Sequence, residues 1–382
     1  MYASAAALAY AFVARAPTPA PAVVAQIAPP ADASFALWGV APGAPALSPD
    51  GTQLAFVAQT ADGKQPLWVR RLDSADVRAI DGTDGASRPF WSPDSRSIAY
   101  FNRGELYRVD LAGGSPTTIG SVGAASGATW NSTGVILVSS QVGTGETSIF
   151  RVPASGGTSQ VVVQPGKLFT QVGYPQFLPD GNHFLFSAVG VSRADHGLYV
   201  ASLEGGEPLL VLRTEYRAWY AAPGYLLFVR NGTLMAQQFD ARTFRVSGEP
   251  APLADNVEVN PVLRSPILTV SETGSLVYDS ATPMSDRIVW YDRGGATISV
   301  TGAAGAFGAP SLSPDGRRLA ISSRMNQASS RCTSCRSPTG PGSLSCLRAA
   351  ESGRVGAAMA RSSSTGKGAP SGPFRFRVAV GT

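Results

Sequence analysis

Between residues 34 and 324 the apolar positions come in short runs, alternating or continuous, each cut off by Gly, Pro, Asp or Ser. That is the spacing of half-buried β-strands separated by tight turns, and no long stretch carries the helical period. The segment "ALSPDGTQLAFVA" (Ala46–Ala58) sets the pattern. Ser48-Pro49-Asp50-Gly51 has turn chemistry: proline presets φ, aspartate bonds its own backbone, and glycine accepts positive φ. The apolar run through Leu54 and Phe56 then reads as a strand. The unit is strand, tight turn, strand.

The unit recurs. "FWSPDSRSIAYF" repeats it with Trp91 ahead of the turn, "TWNSTGVILVSS" with Trp130, and "QFLPDGNHFLFSA" with Phe177. "WYAAPGYLLFVR" keeps Pro223-Gly224 and the apolar strand, "LTVSETGSLVYDS" is a sixth copy, and Leu312 opens a seventh in "PSLSPDGRRLAIS". Trp91 and Trp130 are 39 residues apart, and Trp130 and Phe177 are 47 apart. That is about the length of one four-stranded propeller blade. A second element follows each turn: "LYRVDLAGG" (Leu106–Gly114), "IFRVPASGG" (Ile149–Gly157), "LYVASLEGG" (Leu198–Gly206) and "IVWYDRGG" (Ile288–Gly295) are strands closed by Gly-Gly. The fold expected is all-β: a β-propeller of four-stranded blades, about six recognisable and the start of a seventh. The seventh unit stops after one hairpin near Arg324, so an incompletely closed ring with exposed strand edges is expected.

Charge changes the picture only at the C-terminal end. The chain has 31 Lys and Arg against 26 Asp and Glu. Residues 325–382 hold eight of the bases and one acid, Glu351, which leaves 23 bases and 25 acids elsewhere. The propeller region is close to neutral and has no electrostatic footprint for nucleic acid. All three cysteines, Cys332, Cys335 and Cys346, lie in the same tail. Cys332-Thr-Ser-Cys335 has the spacing of a metal or redox pair, but a structural zinc needs two further ligands. Cys346 could supply one, while the only histidines, His183 and His196, sit in the fourth blade. The pair is read as fortuitous, with no metal and no cofactor.

The tail also loses the strand alternation and the Gly-Gly turns and gains eleven serines. A disordered basic tail is one reading and a shifted reading frame is the sharper one. With each codon of Met325–Ser337 read one base earlier, synonymous choices allow "DEPGVFQVYVVPF", which resembles the second blade element. The same shift at Met359 allows "DGAELFYW", whose Gly is forced because a Met codon ends in G and an Ala codon begins GC. Both restore the blade element due next, so residues 325–382 are read as out of frame.

At the other end, Tyr2–Ala14 is apolar and stops at Arg15. It is shorter than the about 20 residues a membrane-spanning helix needs and lacks the positive leader of a signal peptide. It is read as the back half of a transmembrane helix, with a degenerate signal peptide as the alternative. The Pro- and Ala-rich stretch after it suits a semi-rigid spacer. The expected organisation is a hydrophobic segment over 1–16, a linker over 17–33, the propeller over 34–324 and the tail over 325–382.

No catalytic constellation is visible. The chain has no G-x-S-x-G elbow, no phosphate-binding P-loop and no kinase signature. Asp50 and Asp315 could be tested as acid or base groups, but their place in the turn accounts for them. His183 and His196 have no Ser, Cys or Asp partner in sequence, and Trp91 and Trp130 recur at blade period, as packing aromatics would. Asn131-Ser-Thr and Asn231-Gly-Thr match the glycosylation pattern but sit in tight turns.

With these phrases in hand, "SPDG…LAF", "WSPDSRSIAYF" and "LYRVDLAGG" resemble the TolB-like, WD-repeat-like propeller of the Pro-Asp type. The order "FLPDGNHFLF", "LYVASLEGG", "APGYLLFVRNGTLMAQQFDA", "GEPAPLAD" and "VWYDRGG" resembles the extracytoplasmic propeller of bacterial receptor-type serine/threonine protein kinases, over about residues 34–324. The resemblance implies a non-catalytic binding or sensing module, extracytoplasmic and membrane-anchored, with a protein or small ligand at a propeller mouth. It carries over no catalytic, cofactor or metal residue. The alternative is the propeller of a prolyl-oligopeptidase-like peptidase without its hydrolase domain.

Overall fold

The structure, a computed structural model, describes residues 24–37, 43–141, 146–260, 263–280, 286–291, 297–314, 318–325, 329–336 and 376–380. The chain divides into two compact units, Met1–Ser280 with Pro373–Thr382, and Ala281–Gly372.

In the first unit the repeated phrase is the inner hairpin of each blade. Leu47 pairs with Leu54 across the first turn, Trp91 with Ile98, Trp130 with Ile136, Phe177 with Phe184 and Tyr220 with Leu226. The third strands, Glu105–Asp110, Thr147–Pro153 and Gly197–Ser202, are the segments read ahead of Gly-Gly. Those glycines sit at φ +126 and +111 (Gly113, Gly114), +88 and +127 (Gly156, Gly157), and +90 and +105 (Gly205, Gly206). A side chain is strained there, so glycine is what lets the chain turn into the fourth strand. Five antiparallel blades follow one another in chain order, the first with its inner strand split into Ala33–Phe35 and Ala46–Leu47.

The expected count of six blades and the start of a seventh is corrected here. The sixth repeat contributes only its hairpin, Leu268–Val270 and Ser275–Asp279. Its sheet is completed by Phe376–Val380 and then Val24–Ile27, from the two ends of the chain. The "IVWYDRGG" segment, expected to be its third strand, pairs instead within the second unit, where Asp286–Tyr291 lies against Thr297–Leu312.

The expectation of an open ring is corrected as well. Six apolar clusters pack six sheets against one another in succession, each cluster drawing on two consecutive sheets. The closing one packs Phe35, Leu47, Leu54 and Phe56 of the first blade against Ile267 and Val277 of the sixth sheet. The amide of Leu47 donates to Thr269 Oγ1 at 3.0 Å across the same junction. Ile27, from the outermost strand of the sixth sheet, joins the same cluster. Strand Val24–Ile27 lies within the stretch read as a spacer.

The second unit is a four-stranded antiparallel meander ending in Arg318–Met325 and Ser329–Arg336. The seventh phrase is its central hairpin, with Leu312 opposite Leu319. Cys332 and Cys335 fall on the last strand opposite Ser322 and Leu319. Asp315, Cys346 and the apolar segment Tyr2–Ala14 lie outside the described residues. Among the described residues no helix is long and apolar enough to cross a membrane, and no group of three His, Cys, Asp or Glu side chains could hold a metal ion.

Candidate functional site

The inner strands run from one end of the ring to the other, so each blade presents its hairpin turn, Pro-Asp in the first, second and fourth, at one mouth of the channel and the start of its inner strand at the other. The two mouths are built differently.

At the turn mouth the side chains are occupied with one another. Buried Ser48 donates from Oγ to Asp50 Oδ1 at 2.5 Å and accepts from the Gln53 amide at 2.9 Å. Asp50 Oδ1 also accepts from the amide and the hydroxyl of Thr52, at 3.0 and 2.9 Å. Burial raises the Asp50 carboxyl, but the hydrogen bonds from Ser48, Thr52 and Ser95 outweigh it and hold the group below its usual value. Ser92 repeats the design, with Asp94 Oδ1 at 2.6 Å and the Ser97 amide at 2.9 Å. In the third blade Asn131 takes the role, its Oδ1 accepting from the amides of Thr133 and Val135.

These turns also clasp their neighbours. The Asp50 amide donates to Ser95 Oγ in the second blade at 3.2 Å. Asn131 Nδ2 donates to the carbonyl of Gly181 in the fourth blade at 2.8 Å. From the sixth sheet, the Glu272 amide donates to Pro49 O at 3.0 Å and Thr273 Oγ1 to Asp50 O at 3.2 Å. Gly51, at φ +74, lies so close under Thr273 that a Cβ would collide with its hydroxyl. The structure therefore gives Asp50 the turn role. It also buries Asn131, only 4% exposed, while Asn231 is exposed at φ +52.

The remaining sequence candidates separate. Trp91 is buried, and its indole Nε1 donates to Ala46 O of the first blade at 2.9 Å, so it packs between blades. His183 pairs through Nδ1 with Asp180 Oδ2 at 2.5 Å beside the fourth turn. His196 is at the opposite mouth, its Nε2 3.1 Å from Gly190 O.

That opposite mouth holds a cavity of about 670 Å³, lined by Ser87, Arg88, Ala124–Ser126, Gln171–Tyr174, Thr214–Arg217 and Arg264 among others. Three residues ahead of the aromatic that opens each turn, blades two to five carry Arg88, Gly127, Tyr174 and Arg217. The missing side chain at Gly127 makes room, since a Cβ there would stand 3.1 Å from the Tyr174 ring. The guanidinium of Arg217 lies over the Trp219 ring at 4.6 Å and the Tyr174 ring at 5.1 Å. Tyr174 OH is fixed by Leu263 O at 2.6 Å. Desolvation pulls the Arg217 guanidinium down to about 10, and it acts on Arg88 in the same direction. Burial pushes the Tyr174 phenol up, partly offset by the positive charges of Arg217 and Arg88. Arg217 therefore stays charged at neutral pH inside a half-enclosed space. Sequence reading singled out none of Arg88, Tyr174, Arg217 or the cavity-lining Ser187. The signal available was the constant offset from the turn aromatic.

No family model matches the chain, and no curated protein matches it. Among solved structures it is similar to TolB from Acinetobacter baumannii, at 15% identity and a TM-score of 0.46, covering 87% of this chain and 64% of that one. It is similar to a putative TolB from Agrobacterium tumefaciens at 18% identity and a TM-score of 0.42, covering 67% and 83%. It is also similar to an oligogalacturonate lyase from Vibrio parahaemolyticus at 12% identity and a TM-score of 0.45, covering 80% and 94%.

Proposed function

We propose that this chain is a non-catalytic binding module, the extracytoplasmic sensor propeller of a membrane-tethered signalling protein related to receptor-type serine/threonine kinases, and that its ligand enters the channel at the mouth opposite the Pro-Asp turns. The observation that carries the binding role is the cavity of about 670 Å³ formed where the inner strands of successive blades begin. Its volume is that of a site for a small molecule or the tip of a peptide, and a rigid scaffold positions its lining. The membrane tether and the kinase relationship are supported by the order of degenerate blades and by the apolar segment and Pro-rich stretch ahead of them.

The test is a thermal-shift screen of the full chain against a panel of neutral, cationic and anionic small molecules and short peptides. Each is measured beside Ala124→Trp, which places a bulky ring at an exposed position on the cavity rim. Compounds that stabilise the native chain and not Ala124→Trp support the reading. A panel with no stabilising member, or one whose members act equally on both chains, overturns it. Hydrolysis of peptides or phosphorylation of casein by the purified chain would contradict the non-catalytic part.

A further inference from the structure

We propose that the cavity at this mouth is an oxyanion site, taking a small ligand through a carboxylate or phosphate group held by Arg217 and Arg88, with the Ser187 hydroxyl as a further donor. The proposal rests on the binding-module reading and gives its ligand a charge.

The lining is strongly unbalanced in charge. Arg88, Arg103, Arg217 and Arg264 border the cavity, and the only acid among the described lining residues is Glu215, whose side chain is on the exposed side. Arg264 is occupied with the Glu215 backbone carbonyl, through Nε at 3.2 Å and Nη2 at 2.8 Å. Arg217 has neither such a carbonyl nor a carboxylate acting on it among the described residues. Tyr174 is the group that acts electrostatically on it, and a phenol whose own ionisation is pushed up supplies no counter-charge at neutral pH.

The hydrogen bonding of the lining is unfinished. Arg217 Nε and Ser187 Oγ are both shielded from solvent and both lack a hydrogen-bond partner. Both line the same cavity, Ser187 lying opposite Gly173 in the fourth blade's inner hairpin. Buried donors left unpaired weaken a fold, and most proteins avoid them. An oxyanion entering the cavity neutralises the guanidinium and, once a side-chain shift uncovers these two donors, pairs with them. A neutral or cationic ligand does not.

The donors are held ready. The Arg217 guanidinium is held against two rings, one of them tied down through its hydroxyl by Leu263. A guanidinium fork oriented before binding suits the two oxygens of a carboxylate or phosphate and loses little freedom on binding. Arg88 and Tyr174 are both held at positive φ, +47 and +55, in bulges that break the inner-strand register. Backbone strain at two neighbouring positions of one cavity is a feature of built sites.

The experiment uses the full chain at fixed ionic strength, balanced with sodium chloride. Binding of inorganic phosphate, malonate and the uncharged analogue malonamide is followed by calorimetry and thermal shift. Saturable binding of phosphate or malonate is expected, with none for malonamide, and the stronger of the two identifies the oxyanion. Arg217→Gln and Arg88→Gln each weaken it by about tenfold or more, the loss of a charged hydrogen bond. Arg151→Gln, on an outer strand away from the cavity, leaves it unchanged. On the unaltered chain, the bound oxyanion protects Arg217 and Arg88, and not Arg151, from phenylglyoxal, read by mass spectrometry. This arm holds even where an arginine variant fails to fold. No oxyanion binding at matched ionic strength, equal affinity in both arginine variants, or labelling that ignores the ligand overturns the proposal. If neutral compounds bind at the mouth while oxyanions do not, the binding-module reading stands and this inference falls.

Discussion

Replacing Ser48 by alanine isolates what the repeated phrase contributes to stability. Ser48 is fully buried, and its Oγ makes two bonds, one to Asp50 and one from the Gln53 amide. Alanine removes both and leaves the Gln53 N–H facing a methyl group. The backbone bond from Ser48 N to Gln53 O at 2.9 Å persists, so the hairpin keeps its register. A lost buried hydrogen bond and a partly unpaired amide together cost about 2 kcal/mol. For a unit of this size that lowers the thermal midpoint by about 3–4 °C. The assay is urea and thermal unfolding followed by tryptophan fluorescence, with Ser247→Ala as the control. Ser247 is exposed and reaches Gln238 at only 3.4 Å, so its loss stays within about 0.5 kcal/mol. Ser92→Ala, with the same two bonds in the second blade, matches Ser48→Ala. The two turns are linked through the Asp50 amide and Ser95, so the double variant departs from additivity. If Ser48→Ala is indistinguishable from Ser247→Ala, the turn serine is not structural and this account of the repeat is wrong.

Two further outcomes follow from particular residues. Asp279 is buried, and desolvation with the nearby Glu258 charge pushes its carboxyl up from 3.8 to about 7. A raised folded value means the stabilising state is fully present below the ordinary value and is lost as pH rises through about 7. Asp279→Asn, which cannot ionise, is therefore more stable than the native chain at pH 8 by up to about 4 kcal/mol and matches it near pH 3.5. Urea midpoints that are equal at both pH values would refute this. The shifted-frame reading of residues 325–382 is checked in the nucleotide sequence: codons from Met325 and Met359, read one base earlier, give blade-like residues, whereas stops or unrelated residues end that reading.

The inner hairpins were legible in the sequence because each carries two local signals, a turn with fixed chemistry and an apolar strand after it. Leu47 opposite Leu54 and Trp91 opposite Ile98 are the pairings those signals specify. The Gly-Gly turns were legible for the same reason, since only backbone conformation is at stake. The blade count was not legible. Whether "IVWYDRGG" joins the sixth hairpin or pairs with Thr297–Leu312 is decided by contacts between distant segments. Closure escaped for the same reason, as the bond from Leu47 to Thr269 joins residues 222 apart in sequence. The site was hidden more deeply. Arg88, Tyr174 and Arg217 lie in separate blades, and only the ring brings them to one cavity.

The two mouths carry different physical burdens. At the turn mouth every repeat must satisfy buried amides and grip its neighbour, so serine, asparagine, aspartate and glycine return at set places. The position three residues before the turn aromatic is less constrained: Ile267 packs there at the closing junction, while Gly127 has no side chain to pack. A charged residue there loses hydration, as the lowered guanidinium of Arg217 records, and the rings of Trp219 and Tyr174 offset only part of that loss. Fold stability alone would place an apolar or small residue at that point, as Gly127 and Ile267 do in the third blade and sixth sheet. Two arginines flanking a tyrosine across three of the other blades therefore call for a cause outside the fold, and an acidic ligand entering the channel supplies one. On this account the turns fix the ring, and by fixing it they leave the opposite ends of the inner strands free to vary from blade to blade.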